Sequence, residues 1–135
     1  MVGILVVTHG RLAQELLETT KMIVGKSVDH IIPISVGWND DTADIQKTIA
    51  SAVTKVDHGE GVLILTDMFG GTPSNISLSF LSEKVEIVTG VNLPMLIKIV
   101  NVGDRCTLKE LSHLIHDQGK KSIYLASEIL SLQKK

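Results

Sequence analysis

Cysteine occurs once in this chain, at Cys106. A disulfide within one chain and a zinc site built on cysteines are therefore excluded, and Cys106 reads as a small, buried or half-buried side chain. Aromatic residues supply only 3% of the sequence, so the core must be aliphatic. An excess of charge of one sign is also missing. The formal net charge is −2, and basic clusters go no further than pairs such as Lys134–Lys135 at the tail. A chain so near neutrality has no long-range pull on nucleic acid or on acidic membranes. The N-terminus lacks a charged region followed by a long apolar stretch, so no signal peptide is expected. No apolar run reaches membrane-spanning length. The expectation is a soluble cytoplasmic protein.

The 135 residues suit one domain, and 44% hydrophobic against 21% charged residues is enough for a real core. Val2 to Val7 is a nearly continuous apolar run, as expected of a strand buried on both faces of a parallel sheet. Leu12, Leu16, Leu17, Ile23 and Val24 then share a helix face, with Gly25 placed to end it. His30 to Val36 is a second strand. Asn39 or Asp40 is positioned to cap a second helix with the buried face Ile45, Ile49, Val53 and Val56, and Gly59 follows as a stop.

Gly61 to Thr66 is the purest buried strand. Thr72 and Pro73 open a third helix as N-cap and first-turn proline, with Ile76, Leu78, Phe80 and Leu81 among its apolar residues. Val85 to Thr89 is a fourth strand, and Leu93 to Val100 a short helix. Thr107 caps a helix carrying Leu108, Leu111, Leu114 and Ile115, closed by Gly119. Ser122 to Leu125 reads as a last strand before a short helical tail. Alternation of this kind predicts a doubly wound α/β domain, with a mostly parallel sheet and helices on both faces.

In such folds chemistry gathers at the C-terminal ends of the strands. Those ends carry Thr8-His9-Gly10, then Gly37-Trp38-Asn39-Asp40-Asp41, then Asp67 to Asn75, then Thr89-Gly90-Val91-Asn92. His9 is a nucleophile candidate, because neutral imidazole is reactive near its ordinary pKa of about 6.5. It needs one ring nitrogen free and the other held by a carboxylate. Asp67 is best placed for that, at the end of a strand expected beside the first. The competing reading makes His9 a helix cap and gives Asp67 only its own turn. Gly70-Gly71-Thr72 precedes a helix start, where outward amide groups suit an oxyanion or a phosphate, although many helices begin with such a turn.

Several look-alikes fail. Gly25-Lys26-Ser27 resembles the end of a P-loop, but Thr20 stands where the first glycine is required. No dinucleotide-binding glycine motif follows the first strand, and no hydrolase elbow occurs. His113 and His116 are three apart on a helix, a spacing that could share a metal, but the simpler reading is a partly exposed pair that favours the helix C-terminus electrostatically. His30 and His58 have no motif around them.

Three segments form a recognisable set: Gly3 to Gly10 (GILVVTHG), Leu65 to Asn75 (LTDMFGGTPSN) and Thr89 to Leu96 (TGVNLPML). In this order and at these distances the chain resembles the mannose-type IIA component of the bacterial phosphoenolpyruvate-dependent sugar phosphotransferase system, over essentially its whole length. The resemblance implies a phosphotransferase component with His9 as the phosphorylated histidine and Asp67 as the carboxylate that orients it. It places Thr72 near the phosphoryl group, with Gly70 and Gly71 in the adjoining loop. It also implies a homodimer in which the C-terminal strand joins the partner's sheet. No metal or cofactor is called for. The phosphoryl group would come from HPr and pass to a IIB protein, and from there to a sugar entering through membrane subunits IIC and IID.

Two departures stand out. Many members carry IIB on the same chain, whereas this sequence ends after the IIA length, so the IIB partner is expected to be a separate protein or absent. The loop Gly37 to Asp41 departs from the family's usual form. Other readings remain beside this one. One is the phosphoryl donor subunit of dihydroxyacetone kinase, against which the Gly70-Gly71-Thr72-Pro73 turn argues. Another is a regulatory module that reports the phosphorylation state of His9. A third is a flavodoxin-like ligand binder with an inert His9.

Overall fold

The computed structural model describes residues 1–133, so the Lys134–Lys135 pair lies outside the described residues. Four strands, β1 (Gly3–His9), β2 (Ile31–Val36), β3 (Val62–Thr66) and β4 (Val85–Thr89), form one sheet in the order β2-β1-β3-β4. All pairings are parallel. The strands are apolar runs because both sheet faces are covered. Leu5, Val6, Val7, Leu63, Ile64 and Leu65 are fully buried, and each contributes about 1.5–3 kcal/mol relative to exposure.

Helices α1 (Leu12–Val24), α4 (Leu93–Val102) and α5 (Leu108–Lys121) cover one face, against Ile4, Val6, Leu63 and Leu65. Helices α2 (Thr42–Val56) and α3 (Thr72–Leu78) cover the other, against Leu5, Val7 and Ile64. A 3-10 turn at Gly103–Arg105 joins α4 to the capping box of α5, where Thr107 and Glu110 satisfy each other's backbone amides. The last helix is α6 (Ala126–Gln133). The chain is thus a doubly wound α/β domain.

Several local expectations are corrected. On α1 the buried positions are Ala13, Leu17 and Thr20, while Leu12 and Ile23 face solvent. Thr20 can be buried because its hydroxyl donates to the Leu16 carbonyl at 2.7 Å. Neither Asn39 nor Asp40 caps α2. Asp41 does, accepting from the Ala43 amide at 2.7 Å, because the Asp40 carboxylate is turned back onto the Gly37 amide at 2.6 Å. Gly71 rather than Thr72 is the N-cap of α3, which puts Thr72 at the first helical position. That helix ends before Phe80 and Leu81.

Gly119 does not stop α5 but lies buried inside it, where an added Cβ would come within 2.7 Å of Met95 Sδ on α4. The expected strand Ser122 to Leu125 does not form in the chain's own sheet. Ile123, Tyr124 and Leu125 are 78%, 69% and 63% exposed on the link between α5 and α6. A strand needs a backbone partner, and this segment pairs with none of the chain's own strands.

Candidate functional site

β1 leads by way of α1 to β2 on one side, and β3 leads to β4 on the other, so the strand order switches direction between β1 and β3. A crevice at the carboxyl ends of the strands is where such folds place ligands. His9 is the last residue of β1, and Asp67 is the first residue after β3. The β1–β3 register sets Val7 beside Thr66, so the two side chains leave neighbouring strand ends together.

The Asp67 carboxylate holds His9 at two points. Its Oδ2 accepts from the His9 backbone amide at 3.0 Å and lies 2.8 Å from the ring Nδ1. Its Oδ1 accepts from the Met68 amide at 3.0 Å. Partial burial pushes the Asp67 carboxyl upward, but the amide bond, ring bond and charge of His9 outweigh it, with help from Asp67's own loop. The net effect holds the group below the ordinary carboxylate range. Asp67 is therefore ionised at neutral pH and accepts only, which requires the proton on Nδ1 and, in the neutral imidazole, leaves the lone pair on Nε2.

The His9 side chain is 48% exposed, whereas that of Asp67 is 11% exposed. One nitrogen is thus held from within while the ring reaches solvent. Gly71 lies under the ring: a Cβ there would stand 2.7 Å from Cε1 and 3.1 Å from Nε2. Gly71 has φ −86° and ψ 171°, which any residue adopts, so the need for glycine is one of space. Gly70 has φ +93°, a turn conformation that favours glycine. Thr72 follows, exposed, in the first turn of α3.

His9, Asp67, Gly70, Gly71 and Thr72 thus meet at one edge of the sheet. His113 and His116 are exposed on α5 and line a groove of about 340 Å³ with Phe69, Leu78, Ile87 and Val88. One support was not foreseen from the sequence. Thr8 Oγ1 accepts from the Ala13 amide at 2.8 Å, which ties the start of α1 to the residue before His9. Its five-residue spacing matches no standard cap, so no sequence signal announces it.

A doubly wound domain with a carboxylate-held histidine at its switch point is a class of protein suited to nucleophilic histidine chemistry. Residues 3–116 match the family EIIA-man, described as PTS system fructose IIA component. The PTS system fructose-specific EIIA component of Bacillus subtilis (strain 168) is 28% identical over 132 residues, 96% of this chain and 90% of that protein. The PTS system sorbose-specific EIIA component of Lacticaseibacillus casei is 30% identical over 129 residues, 93% of this chain and 92% of that protein. The crystal structure of a PTS IIA protein associated with the fucose utilization operon of Streptococcus pneumoniae superposes with a TM-score of 0.80. It is 29% identical, with 96% of this chain and 99% of that chain covered. The chain belongs to the EIIA-man family and is a mannose-type IIA component of the phosphotransferase system. Among the described residues, no helix is long and apolar enough to cross a membrane.

Proposed function

We propose that this protein is a cytoplasmic phosphoryl carrier that accepts a phosphoryl group from phospho-HPr on Nε2 of His9 and hands it to a IIB protein in sugar uptake. The observation that carries this reading is the 2.8 Å contact between His9 Nδ1 and Asp67 Oδ2, which leaves Nε2 as the nitrogen with a free lone pair.

The lone pair of Nε2 attacks phosphorus, the P–Nε2 bond forms, and the donor's P–N bond breaks with its electron pair returning to the donor imidazole. Positive charge grows on the His9 ring as the bond forms. The Asp67 carboxylate, across the Nδ1–H, balances that charge. The amides of Gly70 and Gly71 and the Thr72 hydroxyl receive the phosphoryl oxygens. Positioning and electrostatics are the protein's whole contribution, as suits a loose phosphoryl transfer. Delivery to IIB is the same step in reverse.

The β4 edge supports a homodimer. Among the described residues no strand pairs with its outer side, and a groove runs beside it. The exposed Ile123-Tyr124-Leu125 segment is apolar and pairs with none of the chain's own strands, so a second copy supplies what each lacks.

The test is to incubate the protein with phosphoenolpyruvate, enzyme I and HPr and to record its intact mass at neutral to alkaline pH. One acid-labile phosphoryl group is expected on the wild type and none on His9→Ala. No gain on the wild type, with HPr phosphorylated in the same tube, overturns the reading.

A further inference from the structure

Exposed large apolar side chains scattered singly on a surface carry no message. Here three of them frame one histidine. Met68 and Phe69, 56% and 73% exposed, follow Asp67 on one side of His9. Trp38, fully exposed, stands on the other. The His9–Val36 pairing and the bond from the Gly10 amide to the Val36 carbonyl fix where Trp38 lies. It is two residues beyond Val36, so its Cα is within about 12 Å of that of His9. A single docking footprint covers both.

Trp38 is held out by construction. The Gly37–Asp40 turn is closed by the Gly37 amide on Asp40 Oδ2 at 2.6 Å and by the Asp40 amide on the Gly37 carbonyl at 3.4 Å. Asp41 then anchors the end of the loop to α2. The loop therefore presents the indole without depending on it for its own shape. Around it, residues 37–45 contain Asp40, Asp41 and Asp44 and no lysine or arginine.

We infer that Trp38 is an anchor for the phosphoryl donor, inserting into an apolar recess beside the donor's phosphohistidine while Asp40, Asp41 and Asp44 meet cations around it. The inference rests on the carrier reading of His9. It selects the donor because a protein that arrives with a phosphoryl dianion on its own histidine must balance that charge with nearby cations. Those cations are what an acidic loop attracts, and an exposed indole adds a cation–π face for them. Tryptophan is also the residue type most enriched among energetic hot spots of interfaces.

The test measures initial rates of phosphoryl transfer from phospho-HPr to the wild type, Trp38→Ala, Trp38→Phe and, as a remote exposed control, Met22→Ala. Trp38 is the sole tryptophan, so its emission also reports HPr binding directly when the HPr used lacks tryptophan. The expected result is a KM for phospho-HPr raised about tenfold in Trp38→Ala with kcat unchanged. Substantial rescue by Trp38→Phe, no effect of Met22→Ala, and a shift of Trp38 emission on adding HPr are expected with it. An unchanged KM, a fall confined to kcat, or a defect seen only in transfer onward to IIB overturns the anchor. A wild type that takes no phosphoryl group although its Trp38 emission responds to HPr counts against the carrier reading, not against the contact.

Discussion

A single oxygen, Oδ2 of Asp67, takes both the backbone amide of His9 at 3.0 Å and its ring Nδ1 at 2.8 Å. The same atom fixes where the β1 end lies and which way the imidazole turns. Asp67→Asn keeps the size but loses the charge and presents a different hydrogen-bonding choice to Nδ1. The rate of phosphorylation by phospho-HPr should fall roughly 10- to 100-fold, the scale on which loss of an orienting partner weakens a functional histidine. Circular dichroism should show the fold retained.

Acid should expose the same pair. The Asp67 carboxyl is held below its ordinary value, so its folded pKa is lower than its unfolded one. A group of this kind stabilises the fold fully above the unfolded pKa of about 3.9, and its contribution disappears as pH falls through the folded value. The stability difference between wild type and Asp67→Asn should therefore shrink in wild type's disfavour as pH falls below about 4. Denaturant titrations across that range check it.

Gly71→Ala separates site from scaffold. The backbone angles at 71 accept alanine, but the new Cβ would stand 2.7 Å from His9 Cε1. The half-exposed ring can move, so thermal stability should change little. In moving, the ring gives up its alignment on Asp67, and the phosphorylation rate should drop about tenfold or more, as a displacement on the ångström scale implies. Melting curves and transfer rates measured on one preparation decide the point.

The four strands were legible because a parallel sheet covered on both faces leaves uninterrupted apolar runs, as in Val2 to Val7 and Gly61 to Thr66. The strand-end principle brought His9 and Asp67 to one edge, and the β1–β3 pairing puts them side by side. Ser122 to Leu125 was misread for a physical reason: apolar strand-formers mark what a segment can do, while pairing depends on an available edge. Asp40 was misread as a cap because sequence does not show which of two adjacent carboxylates turns inward. Gly119 looked like a helix stop and is a packing contact with Met95. The exposure of Trp38 depends on the closed turn beneath it, which composition does not reveal.

The unpartnered Ile123-Tyr124-Leu125 segment makes a prediction about assembly. Ile123→Asp places a charge on an apolar residue that is 78% exposed within one chain, so folding of the single chain should be unaffected. In a dimer that residue would be buried against the β4 edge of a second copy. Sedimentation should show a dimeric wild type and a shift toward monomer in Ile123→Asp, with a melting temperature that depends on concentration only in the wild type.

The nitrogen that carries phosphorus is the most direct test of the whole account. Phosphorylated protein, labelled with nitrogen-15 in histidine and kept at alkaline pH, should show coupling of phosphorus to Nε2 of His9, with a proton retained on Nδ1 facing Asp67. Coupling to Nδ1, or phosphorus on any other residue, would contradict it, because Nδ1 is the atom that the 2.8 Å contact with Asp67 already occupies.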